Sequence, residues 1–412
     1  MRLLFLTPQF PYPPHKGTTL RNYNIIAQLA QRHSIDLLSF HDTSAVPATP
    51  LTALCERLAV VPAPRRAAWR RAVDTGLSPW PDMGLRLWSP RFAEELRAWL
   101  ADRVYDVIQL EGIELARYAP HLSRRDSGAL LVYDAHNAES LLQQRIAQAE
   151  RAARGWWSPG AIYSAIQARK LRRFERLIGR QADRLICVSD ADAAAIHALD
   201  PALHPAVIAN GLDTSFYERA RVRPLDLPAH SLVFTGTMDY RPNVEAMLWL
   251  VDKVWPQIIA AAPDARLYIV GQRPHPRLDR LRGDPAITLT GAVDDTRPYI
   301  AGAGVYVIPL QMGGGTRFKV LEALALEVPV VSTTLGVEGF EVVDGREVLL
   351  ADEADRFAQA VLTVWREPEL RHALGEAGRS LVARYDWRVI APLFEEVYRA
   401  GINPKTPPPT VG

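Results

Sequence analysis

Short apolar runs, each closed by a glycine, a proline or a polar turn, recur along the whole chain. Leu3–Leu6, Ile35–Phe40, Tyr105–Leu110, Leu130–Tyr133, Leu185–Val188 and Ala206–Ala209 form one series. Leu232–Phe234, Leu267–Val270, Ile287–Leu289, Val305–Ile308 and Val328–Val331 form another. Runs this short and this rich in Val, Ile and Leu read as strands buried on both faces, as parallel strands are. Parallel neighbours need a crossover between them, and helical stretches fill the gaps. The expectation is an α/β chain of two Rossmann-like, doubly wound domains. A length of 412 residues suits two such domains better than one. The first is expected over 1–217, a linker rich in proline and charge over 218–230, and the second over 231–385. A last amphipathic helix over 386–401, with Trp387, Ile390, Leu393, Phe394 and Val397 as its stripe, is followed by a Pro-rich tail, 402–412, read as disordered.

Composition narrows the class of function. Hydrophobic residues at 48% and charged residues at 23% are those of a soluble globular protein. A net charge of +2 gives no argument for nucleic acid as a partner. The cysteines, Cys55 and Cys187, form no disulfide framework and no zinc cluster, which fits a reducing cytoplasm. Leu3–Leu6 after Arg2 is too short for a signal peptide and runs into prolines, so it reads as a first strand. No run approaches the roughly 18 apolar residues of a membrane span.

The stretch 309–340 carries the densest chemistry. Gly313, Gly314 and Gly315 permit close backbone approach, Thr316 is a good N-cap, and Arg317 to Leu326 reads as a helix. Its free N–H groups form an anion site, to which Arg317 and Lys319 add full charges. Glu322, a turn further in, suits the vicinal hydroxyls of a ribose better than a phosphate. The G-x-x-x-x-G-K-[ST] spacing of a Walker loop is absent. A second turn of the same kind, Gly236 to Arg241 with Pro242 in the first helical turn, follows Leu232–Phe234.

In the first half, prolines 8, 11, 13 and 14 force a long loop that returns at Gly17 to start a helix. Lys16, Gly17 and Arg21 either reach an anion there or belong to a plain surface loop. His136 ends a strand among Asp134, Asn137 and Glu139, where open α/β sheets bind ligands; a structural histidine is the other reading. Asp190-Ala191-Asp192 resembles a metal motif, but helix capping and the dipole explain it. Arg65 to Arg71, around Trp69, suits either an anionic membrane surface or an exposed helix with its Trp tucked underneath. The basic stretch 145–184, broken at 156–160, carries the same pair of readings.

Taken in order, PYPPHKGTTLRNYNII, DAHNAES, QADRLICVSDAD, IANGLD, FTGTMDYRPNVEA, LYIVG, LTGAV, VIPLQMGGGTRFKVLEALA and VPVVSTTLGVEGFEVVDG resemble the retaining glycosyltransferases of family 4 (group 1), which have the GT-B fold. The resemblance covers nearly the whole chain. It implies two Rossmann-like domains facing each other across a cleft. It also implies sugar transfer from a nucleotide-diphosphate sugar with retention, with no metal and no cofactor. The acceptor would be a sugar, a lipid-linked glycan or a polysaccharide, in polysaccharide or glycolipid assembly, with peripheral contact at the inner face of the membrane. Carried over residue by residue, Glu322 grips the ribose, while Arg241 and Lys319, with Arg317, neutralise the diphosphate. Gly17, Gly236, Gly314, Gly315 and Thr316 line the donor, and His136 meets the donor sugar. His136, Arg241 and Lys319 are thus the expected catalytic residues. The chain departs from the family at Gly314, where a first glutamate is usual, at Thr237, where an arginine is usual, and at Glu327, where a glycine is common. A GT-B sugar-nucleotide 2-epimerase and a non-catalytic sugar-nucleotide binder are the alternatives.

Overall fold

The computed structural model describes residues 1–14, 17–122, 128–155, 157–313 and 317–403. The calls on Lys16, Gly314, Gly315 and Thr316, and most of the 402–412 tail, lie outside the described residues.

The chain divides into two compact units. Met1–Asn210 and the residues from Trp387 onward form the first, and Gly211–Asp386 the second. The chain enters the second unit at Gly211, earlier than the expected boundary. Residues read as a linker are tied down there: the Arg219 guanidinium donates to the Ala301 carbonyl, and Leu225 N–H to Pro298 O at 3.0 Å.

In the first unit, β1 (Arg2–Thr7), β2 (Ser34–His41), β3 (Arg57–Pro62), β4 (Val107–Glu111), β5 (Leu130–Ala135), β6 (Arg184–Cys187) and β7 (Ala206–Val207) form one parallel sheet, ordered 3-2-1-4-5-6-7. Alternate residues supply the two faces. Leu4 and Leu6 pack with Phe92 and Trp99 on one, while Leu3 and Phe5 pack with Ile25, Ile26 and Leu29 on the other. The latter three come from α1 (Gly17–Leu29), which begins at the glycine after the proline loop.

One charged residue of α1 is driven inside. Arg21 and Asp134 are essentially unexposed, at 2% and 0% of their side chains. Arg21 Nε donates to Asp134 Oδ2 at 2.9 Å and its Nη2 to Oδ1 at 3.1 Å, while Nη1 donates to Asn210 Oδ1 at 3.0 Å. The reading of Arg21 as an anion ligand is therefore corrected: its charge is answered from within the protein.

Helix α2 (Ala68–Leu77) also departs from expectation. It buries none of its residues, and Trp69, tucked underneath on one of the two readings, is 69% exposed. Arg66 and Arg71 fasten this region through Asp74 and Asp82, which leaves the Trp69 side of the helix turned outward. The basic stretch splits into α3 (Glu139–Arg154) and α4 (Pro159–Gln181), with Pro159 in the first turn of the second helix. The Asp-x-Asp motif opens α5 (Asp190–Leu199). Ser189 Oγ accepts from Asp192 N–H at 3.2 Å, and Asp192 Oδ1 accepts from Ala138 N–H at 2.8 Å, so capping accounts for it.

The second unit has a parallel sheet of β8 (Ser231–Thr235), β9 (Arg266–Val270), β10 (Ile287–Gly291), β11 (Val305–Ile308), β12 (Val330–Ser332) and β13 (Leu349–Leu350), ordered 10-9-8-11-12-13. Helix α6 (Arg241–Trp249) follows β8, and α7 (Phe318–Ala325) follows β11. The latter is shorter than the expected 317–326, with Arg317 at its N-cap. Glu327 takes φ +58°, a left-handed backbone that favours glycine, and its carbonyl lies 2.7 Å from where a Cβ on Gly375 would stand. That conformation is the physical reason a glycine is common there.

The last helix, α8 (Trp387–Ile402), belongs to the first unit. Its Trp387, Ile390, Phe394, Val397 and Tyr398 join the core that holds Leu3, Phe5 and Ile25. Phe394 lies under Arg21, whose guanidinium carbon is 5.2 Å from the ring centroid.

Removing one member of a buried ion pair strands the other. Arg21→Met should lower stability by about 3–5 kcal/mol in urea unfolding, and Arg21→Met with Asp134→Leu should recover part of that loss. Equal midpoints for wild type and the single variant would contradict the argument.

Candidate functional site

Each sheet reverses its strand order once, between β1 and β4 in the first unit and between β8 and β11 in the second. Crevices for ligands form beyond the carboxyl ends of the strands at such points. In the second unit, Gly236 and Arg241 follow β8 and Lys319 and Glu322 follow β11; in the first, Gly17 follows β1, while His136 follows β5, one strand beyond the switch.

In the second unit, the β8 and β11 chains are joined by the Thr235 and Tyr306 hydroxyls, 2.6 Å apart. Lys319, in the first turn of α7, reaches back over this seam. Its Nζ donates to Thr235 O at 2.8 Å and to Asn243 Oδ1 at 3.2 Å, and lies 3.9 Å from the centroid of the Phe234 ring. Gly236 is required in this corner: a Cβ there would stand 2.7 Å from Asn243 Nδ2 and 3.2 Å from Lys319 Nζ. The bonding partners of Lys319 are neutral. Burial, then the charge of Arg317, lowers its pKa to about 7, against the opposing pull of Glu322.

Arg317 is buried beside Gly313, its Nη2 3.1 Å from the Cβ position of that glycine. Pro242 Cγ lies 3.2 Å from that same position, so the start of α6 and Gly313 adjoin. Arg241, the first residue of α6, is exposed. Glu322 Oε1 accepts from Tyr217 OH at 3.0 Å. Burial raises the Glu322 pKa, while the Tyr217 hydrogen bond and the Lys319 charge oppose the rise. Lys319 and Glu322 thus face different partners and are linked through charge. Sequence reading missed Tyr217 and Asn243, since a hydroxyl before an expected linker and an amide inside a helix carry no local signature.

In the first unit, Gly17 is the exposed first residue of α1. His136 directly follows β5, and its Nε2 lies 2.7 Å from Glu111 Oε2 at the end of β4. It borders a cavity of about 60 Å³ that Thr18, Glu114, Asn137 and Glu139 also line. Burial, then the neighbouring charge of Glu114, raises the Glu139 pKa to about 7. This end of the sheet is rich in carboxylates and suits hydroxyl groups better than phosphates. Glu111, Asp134 and His136 offer ligand atoms within 4.8 Å of one another. Those atoms are already engaged: Asp134 holds the Arg21 fork, and Glu111 holds His136. They do not form an open cation site.

The family model described as Glycosyltransferase Family 4 matches residues 15–216, and that described as Glycosyl transferases group 1 matches residues 229–367. A phosphatidyl-myo-inositol mannosyltransferase of Mycobacterium tuberculosis is 30% identical over 205 residues, covering 46% of this chain and 53% of its own. The chain spans about half the length of curated relatives such as this one. Among solved structures, sucrose-phosphate synthase from Thermosynechococcus elongatus gives a TM-score of 0.71 at 18% identity, with 97% of this chain and 98% of that one covered. Anabaena HepE in complex with UDP gives 0.67 at 16% identity, with 97% and 100% covered.

The Lys319 environment sets a sign for pH dependence. An anion bound at this seam favours the charged amine and raises its lowered pKa of about 7. Binding of a nucleoside diphosphate at about pH 8 should therefore take up a proton, and affinity should weaken as pH rises through 7. Calorimetry in buffers of different protonation enthalpy measures this; a heat independent of the buffer would count against it.

Proposed function

The chain belongs to the group 1, family 4 glycosyltransferases of the GT-B fold, and we propose that it moves a sugar from a nucleotide-diphosphate sugar to an acceptor with retention at the anomeric carbon. The observation that carries the reading is the Lys319 seam: a cation held by neutral partners at a switch point, beside Arg317 and a carboxylate oriented by Tyr217. In this reading Glu322 takes the ribose diol, and Arg241, Arg317 and Lys319 take the diphosphate. Gly17, Gly236 and the run Gly314, Gly315 and Thr316 complete the donor contacts. As the glycosidic bond breaks, the sugar becomes cation-like and the diphosphate gains charge. Lys319 and Arg241 stabilise that leaving group, in the manner of donors preorganised toward developing charge. His136 supports the sugar. The cations meet the diphosphate charge in place of a metal.

The acceptor we assign is a lipid-linked or glycolipid sugar, at the inner face of a membrane. Two findings support this: the mannosyltransferase relative is named for a phosphatidylinositol acceptor, and α2 presents an apolar stripe to solvent. Trp69, Val73 and Leu77 are 69%, 47% and 85% exposed, one turn apart, beside exposed Arg65 and Arg70. Such a helix lies in a membrane interface and does not cross it. Among the described residues, no helix is long and apolar enough to span a membrane.

The deciding experiment is a thermal-shift screen of UDP-, GDP-, ADP- and dTDP-sugars, followed by turnover with the stabilising donor. Lys319→Ala should lower kcat/KM by on the order of 10²–10³. Turnover near wild type in that variant would remove the assignment. In a separate test, the protein should sediment with anionic vesicles at low salt and less with zwitterionic ones. Trp69→Ser with Leu77→Ser should abolish that binding, and wild-type binding by the double variant would refute the α2 surface.

A further inference from the structure

We infer that Glu111 is a positioning residue for His136: it takes the imidazole by Nε2 and so presents Nδ1 to the substrate sugar. The inference rests on the proposed role of His136 and goes beyond it, by naming the group that fixes its tautomer. Which ring nitrogen carries the proton is set by the hydrogen bond the other nitrogen makes.

Glu111 is the last residue of β4 and is entirely buried. Its carboxylate is gripped on both oxygens. Oε1 accepts from Gln109 Nε2 at 3.1 Å, and Oε2 lies 2.7 Å from His136 Nε2; with the Asn22 amide oriented to satisfy its own neighbours, Oε2 also accepts from it at 2.9 Å. Gln109 is fixed in turn from the last helix, because its Oε1 accepts from Tyr398 OH at 3.2 Å. Gln109 and Glu111 are two apart on one strand and so share a face of the sheet. The result is a hydrogen-bonded line from α8, through two side chains of β4, to the imidazole.

The other edge of the ring is turned the opposite way. His136 Nδ1 lies 3.6 Å from where a Cβ on Gly112 would stand, and the ring borders the cavity with Glu114, Asn137 and Glu139. Gly112 has φ +79°, so a side chain there is disfavoured by the backbone, and Glu114 Oε2 lies 3.0 Å from the same Cβ position. With Nε2 committed to Glu111, the neutral imidazole offers Nδ1 as an acceptor, and the imidazolium offers it as a donor. Either state makes one bond to a sugar hydroxyl or ring oxygen at a fixed place.

Charge around the pair supports this. Glu111, Asp134, Glu114, Glu139, Arg21 and Tyr398 are the titratable groups that face it. Burial disfavours the imidazolium, but the Glu111 hydrogen bond and the charges of Glu111 and Asp134 outweigh burial and the repulsion of Arg21, so the His136 pKa is raised. Burial and the Asp134 charge likewise raise that of Glu111. The Glu111 hydrogen bond and charge thus favour the protonated ring.

Long-range ¹H–¹⁵N correlation of the ¹⁵N-histidine-labelled protein tests the inference, with His136 assigned by its loss in His136→Gln. In the wild type, the neutral ring should carry its proton on Nε2. Glu111→Gln removes the charge while keeping the shape, and should lower the His136 pKa by about one unit or more. In the same variant kcat should fall about tenfold or more, with donor KM changed less than about twofold, the mark of an interaction made in the transition state. A wild-type proton on Nδ1 would overturn the inference, as would a folded Glu111→Gln with the titration and kcat of wild type. Should Glu111→Gln not fold, the wild-type tautomer decides alone. Failure to turn over any nucleotide sugar would fell the transferase reading, while the tautomer still decides the pairing.

Discussion

A lysine side chain drawn back from α7 to the carboxyl end of β8 is the interaction that organises the switch point of the second unit. Its partners, the Thr235 carbonyl and the Asn243 amide oxygen, are neutral. They hold it in place without an opposing charge. The first unit treats its own buried cation in the opposite way. Arg21 meets Asp134 through a two-pronged ion pair and adds Asn210, so little field remains for a ligand. The two sheets share one topology up to their edge strands, yet among the described residues the buried lysine with neutral partners stands at the switch point of the second. The corresponding corner of the first is lined by carboxylates and an imidazole, which are partners for hydroxyl groups.

Much of this was legible in the sequence because it is written in local patterns. Apolar runs placed the strands, since parallel strands buried on both faces leave little choice of composition. Glycines 17 and 236 marked turns into helices, and Lys319 and Glu322 stood out as charges on an otherwise apolar helix. What escaped were pairings between distant segments. Nothing around Arg21 announces that Asp134 will neutralise it, and nothing around Glu322 points to Tyr217. Trp69 misled because an aromatic ring in a basic stretch is usually pulled under its helix. Here Arg66 and Arg71 bind Asp74 and Asp82 instead, and the ring is left outward. Glu327 was unreadable for another reason: its oddity is a backbone angle, which a one-letter code does not carry.

The polar network behind His136 follows the same logic on a smaller scale. A buried carboxylate is costly unless it is hydrogen-bonded, and Gln109, His136 and the reoriented Asn22 amide serve Glu111. Serving it leaves a histidine that cannot rotate freely. The sequence shows a histidine after a strand; the restraint on its ring comes from β4 and α8, which lie far from it along the chain.

The placement of α8 bears on how the molecule is made. Trp387, Ile390, Phe394 and Tyr398 complete a core whose other walls are laid down by residues 3–60 and 107–208. A ribosome must therefore translate the entire second unit before the first can be finished. Until then the nascent amino-terminal half carries an uncovered apolar furrow along α1, with Arg21 lacking the aromatic ring beneath it. The carboxy-terminal Rossmann unit, contiguous in the chain, can close on itself as soon as it emerges. The order of synthesis is thus the reverse of the order in which the two cores can be completed, and it is the half made first that must wait for its last wall.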